Sequence, residues 1–419
     1  MRLFHTTLLL FLFVLLIPFH SLASNLDYQL KILPNGVKLV YKVLPWSKTA
    51  TARIIFPVGM LNEPQQLRGI SHLLEHLIYR GNDKSTPAEF HRQIDEQGGS
   101  YNGMTTLNHT EYIMDLPSAN LPGALNLFLD MLLHPGLSDS SITLEKKIVS
   151  VEKVLRSVPG DANFLYLNQL TEKKLDDSVN AISRDDLLHY HEQYYQPNLM
   201  TVIITGNFNP PEVTKILAAI PGGQKATEPP EWLYRESTNN VVLEDYLQGE
   251  EYEILFGFHL KQLNEKELVI AKILPFIFRF EAYKFDYISN RPLDYQISLL
   301  SLSSNYFLVF TYRDNKEKYT LEINNWHQKN LIRFCKYLTT KNFDKFLDWS
   351  AKDFEKTYEW NSYNSMSLNN LYANQFFEPS QISISDLSIL NRISSNDLRN
   401  FVKKYLENKG YQKVVVKAL

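Results

Sequence analysis

The sequence predicts an α+β fold built from two related halves. Apolar residues make up 44% of the 419 residues and charged residues 21%, which is typical of a globular protein and excludes a disordered or collagen-like chain. Strand-like and helical stretches are mixed without strict βαβ alternation, and this favours an α+β arrangement. The same layout, a capped helix followed by a strand, starts at Ile182 and again at Ile393.

The two layouts share residues at one constant offset, which predicts an internal duplication. The matched pairs are Ile182/Ile393, Ser183/Ser394, Asp186/Asp397, Leu187/Leu398, Tyr190/Phe401, Tyr194/Tyr405 and Ile203/Val414. The alternative is two unrelated copies of a capped helix, because such capping signals are common. The duplication places domains at 25–220 and 241–419, joined by a polar linker at 221–240 that contains Pro and Gly.

Residues 1–23 are predicted to be a secretory signal peptide. Arg2 precedes an apolar run from Leu8 to Phe19, and Ser21 and Ala23 are the small residues expected before a cleavage site. An N-terminal membrane anchor is the alternative, although the run is short for a span. We therefore expect a periplasmic or secreted protein, and no later segment is long and apolar enough to predict a span in the mature chain.

Charge and cysteine content argue against two classes of function. The net charge is −3, from 43 Lys and Arg against 46 Asp and Glu, so the sequence predicts no nucleic-acid partner. Cys335 is the single cysteine, which excludes an internal disulfide framework and a cysteine-rich metal site. A metal site in this chain would have to use histidines and carboxylates.

The first half reads as strands followed by helices. A hairpin is predicted over Leu30–Tyr41, with Asn35-Gly36 as its turn, and a further strand over Thr51–Val58. The half ends with a helix to Tyr195 and a strand over Thr201–Thr205. Between them, apolar residues follow helical periodicity around 69–80, 86–97, 120–134 and 141–156.

The predicted helix at 69–80 carries the candidate chemistry. His72, Glu75 and His76 follow i, i+3, i+4 spacing on one side, as the H-x-x-E-H arrangement. Two histidines four residues apart can bind one Zn²⁺, and Glu75 can accept a proton from a water that the metal activates. The alternative is a pair of solvated histidines on a polar face. The residues expected to face the core from the other side are Ile70, Leu73, Leu74, Leu77 and Ile78.

The predicted helix at 141–156 supplies two acids. Glu145 and Glu152 share a face with Ile148 and Val149, and carboxylates are rarely buried without a partner. A metal with its histidines is a suitable partner. Glu152 can be a third metal ligand that leaves one coordination position for water, and Glu145 can hydrogen-bond a ligating histidine. The alternative places both acids at a solvated edge of the helix.

The segment from Gly69 to Gly81, GISHLLEHLIYRG, resembles the zinc site of the insulinase/pitrilysin (M16) metallopeptidases. That family carries a Glu about 76 residues after the second His and another seven before it, and Glu152 and Glu145 stand at those places. The resemblance covers most of 28–210 by motif and 240–419 by layout alone. The further similar motifs are GGSYNGMTT at 98–106, NHTEY at 108–112 and YQPN at 195–198.

The resemblance implies that each half is a domain with a mainly antiparallel sheet backed by helices. It also implies that the stretch around Tyr101, Asn102 and Gly103 is similar to the edge strand along which a peptide substrate adds as an extra β-strand. An ordinary edge strand is the alternative there. The implied zinc ligands are His72, His76 and Glu152, with Glu75 as the general base and Glu145 as support.

Family members enclose substrate in a chamber of four such domains, and this chain supplies two. The resemblance therefore implies a small subunit that works as a homodimer or as a heterodimer with a second M16-like subunit. Partner subunits or C-terminal halves of the family carry an Arg and a Tyr that hold the substrate carbonyl. Tyr295 matches the Tyr, whereas Arg279 is an approximate match, because Pro275-Phe276-Ile277-Phe278 replaces the usual glycines and serines. The alternative is that Arg279 belongs to a packed aromatic segment.

The sequence thus predicts a zinc-dependent endopeptidase that hydrolyses peptides or unfolded proteins. The main alternative is a non-catalytic or partner-dependent M16-like subunit that binds peptides. An intact Glu75 disfavours this alternative, because zinc retention alone does not require a base. A secreted metallohydrolase of another substrate class is a third hypothesis.

Overall fold

The computed structural model describes most of both halves of the chain. The predicted signal peptide and the predicted linker from residue 223 onward lie outside the described residues. The described residues are 28–156, 166, 179–222, 241–247, 252–281, 287–288, 291–292, 294–302, 305–314, 323, 327, 343–378, 380–407 and 410–418.

The first sheet has six strands, and two of them are edges. They run in the order β1-β2-β6-β3-β5-β4, and every pair except β2–β6 is antiparallel. Among the described residues, strand β4 therefore pairs with one strand, β5. The strands are β1 (Gln29–Ile32), β2 (Lys38–Val43), β3 (Thr49–Phe56), β4 (Ser100–Thr105), β5 (Thr110–Pro117) and β6 (Thr201–Gly206).

The predicted first hairpin forms, but its connection is longer than a two-residue turn. Gly36 has φ +92°, a conformation that favours glycine, and the connection spans 33–37. The Asn35 amide donates to the main-chain carbonyls of Leu217 and Ile220, at 2.8 and 3.0 Å. These contacts with residues more than 180 positions away explain why the local turn signal alone did not give the loop length.

The second sheet repeats the connectivity of the first. Its strand order is β11-β12-β8-β13-β7, with β13 and β7 parallel and the other pairs antiparallel. In the first sheet β6 lies between β2, to which it is parallel, and β3, and in the second sheet β13 lies in the same way between β7, to which it is parallel, and β8. The strands of this half are β7 (Val241–Leu247), β8 (Tyr252–Leu260), β9 (Tyr287–Ile288), β10 (Arg291–Pro292), β11 (Asp294–Leu302), β12 (Asn305–Asp314) and β13 (Gln412–Ala418), of which β9 and β10 form a separate hairpin.

The six predicted helices form to within a few residues of their predicted bounds, and the described residues contain further helices that were not predicted. In the first half they are α1 (Ile70–Ile78), α2 (Pro87–Glu96), α3 (Leu121–Leu133), α4 (Asp139–Arg156), α5 (Arg184–Tyr194) and α6 (Pro210–Ala218). In the second half they are α7 (Glu265–Glu281), α8 (Phe343–Asn361), α9 (Ser365–Phe377), α10 (Ile384–Leu390) and α11 (Ser395–Tyr405). The α+β fold of two homologous halves, with mainly antiparallel sheets, is thus confirmed, whereas the exact domain limits stay a prediction.

The helices that close the two halves begin with the same cap. The Ser183 hydroxyl accepts from the Asp186 main-chain N–H at 3.1 Å, and the Asp186 carboxylate accepts from the Ser183 N–H at 2.8 Å. Ser394 and Asp397 repeat this reciprocal pair, at 3.3 and 2.9 Å. Each cap satisfies helix N-terminal donors that would otherwise lack an intrahelical partner.

Each half packs on the sheet of the other. Helix α9 covers one face of the first sheet, where Leu368 and Tyr372 join Val40, Ile55 and Ile203 in one buried cluster. The second sheet is contacted by the first half in the same way: Tyr166 of the first half lies edge-on to Phe307 of β12, with ring centroids 6.1 Å apart. The hydroxyl of Tyr166 would lie 1.9 Å from a Cβ placed at Gly257, so only a glycine leaves room for this tyrosine. Helix α1 packs on the opposite face of the first sheet.

No helix in the described part of the chain combines the length and apolar character needed to cross a bilayer.

Candidate metal centre

Helix α1 starts at a cap that involves distant residues. Gly69 precedes it with φ +85°, and the Glu63 carboxylate accepts from the main-chain N–H groups of Gly69 and Ser71, both at 2.9 Å. The Ser71 hydroxyl also hydrogen-bonds the hydroxyl of Tyr190 on α5, at 2.7 Å. A carboxylate at a helix N-terminus is favoured by the helix dipole. These contacts fix the axis of the helix that carries both histidines.

The polar side of α1 is buried rather than solvated. His72 and Glu75 are each 7% exposed, and His76 is half-buried. The side chains on this face contact the edge strand β4 and helix α4, as the contacts of Glu75 and His76 show. The alternative of two solvated histidines is therefore wrong for this fold, because strand β4 and helix α4 cover this face of α1.

Three donor atoms from α1 and α4 converge on one point. His72 Nε2 lies 3.1 Å from His76 Nε2, and Glu152 Oε2 lies 3.5 and 3.6 Å from these two nitrogens. This is the one group of His, Cys, Asp or Glu side chains with metal-binding geometry among the described residues. Glu152 is about one third exposed, so the point is open to solvent from one side.

These distances fit a tetrahedral zinc ion. Zinc binds histidine nitrogen and carboxylate oxygen at about 2.0–2.2 Å, so neighbouring ligands of a tetrahedral ion lie about 3.4 Å apart. His72, His76 and Glu152 come within a few tenths of an ångström of that spacing. Two imidazoles and one carboxylate are also a donor set that zinc accepts at catalytic sites, with the fourth position left for water or substrate.

Glu145 orients His76 through the ring nitrogen that does not face the other donor atoms. Its carboxylate is 1% exposed; it accepts from His76 Nδ1 at 2.9 Å and pairs with the Arg80 guanidinium. Since an ionised carboxylate can only accept, His76 Nδ1 carries the proton, and the lone pair of Nε2 faces the other donor atoms.

The charges around His76 act on the pKa values of both partners. Burial lowers the pKa of His76, but the hydrogen bond to Glu145 and the nearby charges of Glu75 and Glu152 outweigh it, so the pKa is raised. Burial raises the pKa of Glu145, yet its bonds to His76 and Arg80 prevail and lower it. The lowered pKa keeps Glu145 ionised, so its carboxylate can accept the proton that His76 Nδ1 carries.

Glu75 lies against the edge strand of the first sheet. The Thr105 hydroxyl donates to Glu75 Oε2 at 3.0 Å. A Cβ placed at Gly103 would lie 2.5 Å from Glu75 Oε1 and 3.0 Å from the Tyr79 ring, so Gly103 gives these two side chains the space they occupy.

The other predicted substrate residues lie in different settings. Tyr101 faces the helices, and its hydroxyl hydrogen-bonds His91 Nδ1 at 2.7 Å. Asn102 is exposed on the opposite face of the edge strand β4. Tyr295 lies in β11 of the second sheet, where its ring stacks on that of Tyr312 with centroids 6.1 Å apart. Arg279 lies in α7, and its side chain is outside the described residues.

Sequence reasoning did not find four residues that shape the site. Arg80 stands four residues after His76, so helical spacing could have placed it beside the acids. Glu63 carries no local signal, and the sequence singled out Tyr190 only as part of the duplication and Thr105 only as part of the motif at 98–106, without a role in the site. Only the fold shows that they touch α1.

Family models match both halves of the chain. The model of insulinase (peptidase family M16) matches residues 38–185, and that of the peptidase M16 inactive domain matches 181–305. The site described above lies within the first match. Together with the fold, these matches show that the chain belongs to the M16 peptidase family.

Similar proteins include named peptidases. An uncharacterized zinc protease of Streptomyces coelicolor is 28% identical over 197 residues, which cover 45% of this chain and 43% of that protein. A probable mitochondrial-processing peptidase subunit beta of Arabidopsis thaliana is 24% identical over 208 residues, 47% of this chain and 39% of that protein. The matched region is thus less than half the length of each of these relatives.

A solved structure shares the fold over nearly the whole chain. The crystal structure of a protease from Helicobacter pylori superimposes with a TM-score of 0.78 at 18% sequence identity, covering 93% of this chain and 99% of the other. At this identity the likeness establishes the fold alone.

Proposed function

We propose that this protein is a zinc-dependent endopeptidase that hydrolyses peptides or unfolded proteins. The observation that carries the proposal is the convergence of His72 Nε2, His76 Nε2 and Glu152 Oε2, with Glu75 on the same helix. Membership of the M16 family and the zinc protease among the relatives support both the metal and the reaction.

The side chains of the site would have separate roles in metal binding and proton transfer. His72, His76 and Glu152 would hold the metal, and when bound Zn²⁺ polarises a carbonyl and lowers the pKa of water. The Glu75 carboxylate would accept a proton from the attacking water and return it to the nitrogen of the leaving amine. Glu145 would keep the proton of His76 on Nδ1, so that Nε2 remains a ligand.

The substrate would bind along strand β4. This strand has an open edge within the sheet, and it runs past Glu75 at Gly103 and Thr105. A peptide added as an extra strand would be held by main-chain hydrogen bonds, which accept many side chains. Tyr101, Asn102 and Gly103 would line that edge, whereas Tyr295 and Arg279 would act only if the second half faces the substrate.

We also propose that the protein is exported and works with a second M16-like subunit, either a copy of itself or another chain. The N-terminal signal pattern supports export. The two-domain architecture and the likeness to a subunit of a processing peptidase support the pairing. Native mass spectrometry of the protein isolated together with its co-purifying chains should give a dimer, of two copies or of two different subunits, and a monomer that cleaves peptides would contradict the pairing.

Replacement of the proposed base tests the reaction. We expect Glu75→Gln to retain zinc and to lower kcat on a quenched peptide by a factor of about 10² or more, because it removes a general base. The matched control is Glu96→Gln, since Glu96 is an exposed glutamate on α2. Both variants need zinc analysis beside the kinetics.

Two results, one with the variant and one with the parent protein, would contradict the proposal. If Glu75→Gln cleaves at the parental rate, Glu75 is not the base. If the parent binds peptides but cleaves none, with zinc bound and a second subunit present, the chain is a peptide-binding subunit instead.

A further inference from the structure

We propose that Thr105 is a positioning residue that holds the carboxylate of Glu75 in place for proton transfer. The inference rests on the proposed function, because it concerns the residue assigned there as the base. It adds a residue outside α1 and α4 to the catalytic apparatus, from the strand along which substrate is proposed to bind.

The hydrogen bond itself is the first observation. Thr105 Oγ1 lies 3.0 Å from Glu75 Oε2, and the threonine is 9% exposed. An ionised carboxylate has no proton to give, so the hydroxyl is the donor. A hydrogen bond to a charged acceptor is stronger than one between neutral groups, and this one is shielded from water.

Gly103 is the second observation. It lies two residues before Thr105 on the same face of the strand, because alternate residues of a strand face the same side. The space that a Cβ would take there lies 2.5 Å from Glu75 Oε1. The strand therefore lies beside both oxygens of Glu75: the Thr105 hydroxyl bonds one, and the absence of a side chain at Gly103 leaves room for the other.

The end of the strand is itself held firmly. Thr105 pairs with Thr110 of β5, and the next residue, Thr106, donates its N–H to the His109 carbonyl at 2.8 Å. The Thr106 carbonyl accepts from Met60 at 3.0 Å. The hydroxyl of Thr105 thus comes from a fixed backbone, and this is what a positioning group requires.

The arrangement has a specific kinetic consequence. The strand that would align the peptide also positions Glu75, so one strand would fix the base and the substrate relative to each other. Loss of the hydroxyl should let the carboxylate turn away from the reacting water without weakening the bound peptide. A small misplacement of a reacting group costs up to about 100-fold in rate, so the loss should appear in kcat rather than in KM.

The test compares two substitutions at Thr105 with one control. Thr105→Val keeps the shape and removes the hydroxyl, whereas Thr105→Ser keeps the hydroxyl. The control is Thr205→Val, because Thr205 is a buried threonine whose hydroxyl donates to the Ser365 carbonyl at 2.7 Å, on the face of the sheet covered by α9. We expect Thr105→Val to lose between about 10- and 100-fold in kcat, with KM and bound zinc unchanged. Thr105→Ser and the control should stay close to the parent.

A second readout does not depend on activity. In crystal structures of the zinc-free variants, Glu75 should keep its position in Thr105→Ser and take another rotamer in Thr105→Val. If Glu75 stays in place in Thr105→Val, or if Thr205→Val loses as much kcat, the inference is overturned. If the rotamer changes as expected but the parent and Glu75→Gln have equal activity, the proposed function fails while the contact between Thr105 and Glu75 stands.

Discussion

At the scale of single residues, negative charge dominates the candidate site. The carboxylates of Glu75, Glu145 and Glu152 surround the imidazole of His76, and their combined effect raises its pKa despite burial. Carboxylates gathered around a shared point repel one another unless a cation lies between them. Arg80 pairs with Glu145, which lies behind His76. A divalent ion at the point where His72, His76 and Glu152 meet would balance the remaining charge.

The role of Glu145 gives a prediction at this scale. We expect Glu145→Gln to weaken zinc binding about 10- to 100-fold, because the neutral amide no longer fixes the proton on His76 Nδ1 as a carboxylate does. The measurement is competition for zinc with a chromogenic chelator. Glu192→Gln is the control, since Glu192 is exposed on α5. Equal zinc affinity in the parent and in Glu145→Gln would show that the contact at 2.9 Å does not support the ligand.

The residues of the site differ in how far the sequence could predict them. His72, Glu75 and His76 lie on one helix, so their spacing alone placed them together. Glu145 and Glu152 stood out because acids on a partly apolar helix face need partners. Thr105 belongs to the motif at 98–106, but its role could not be predicted, because its contact with Glu75 spans 30 positions and depends on how β4 crosses α1.

At the scale of elements, the contact of α9 with the first sheet holds the two halves together. Asn369 is fully buried; it accepts from Arg53 Nε at 3.0 Å and donates to the carbonyls of Thr51 and Ile203, at 3.2 and 3.0 Å. Beside it, Arg53 forms a buried ion pair with Glu111. One asparagine of the second half thus satisfies polar groups on two strands of the first.

Removal of this amide gives the prediction for the element. We expect Asn369→Ala to lower the free energy of unfolding by about 1–3 kcal/mol, because buried polar groups lose their partner. Bound zinc should not change, since Asn369 lies on the face opposite α1. Urea unfolding followed by circular dichroism measures the effect, with exposed Asn126→Ala as control. A loss no larger than that of the control would mean that α9 contributes little through this residue.

Helices were easier to predict than the contacts between elements. The apolar periodicity of α1 to α4 and the Ser-Asp caps of α5 and α11 are local features, and they predicted these helices to within a few residues. The docking of α9 joins residues more than 300 positions apart, such as Arg53 and Asn369. No local pattern carries that information.

At the scale of the whole molecule, two equivalent sheets support different roles. Both have the same connectivity, as the duplicated layout predicted, and each is partly covered by the other half. The described metal-binding group lies in the first half alone. The inactive-domain model of the family matches 181–305, which includes the start of the second half, and helix α9 of that half packs on the sheet that carries the site. Through α9, the second half thus supports the sheet on which the site lies.

The central claim is that His72, His76 and Glu152 hold one zinc ion beside Glu75. Anomalous diffraction from zinc-loaded crystals, recorded above and below the zinc absorption edge, tests it most directly. We predict one strong zinc peak per chain, about 2.0–2.2 Å from both Nε2 atoms and from the Glu152 carboxylate. A chain that binds zinc elsewhere, or that shows no zinc peak between these three side chains, would contradict the account.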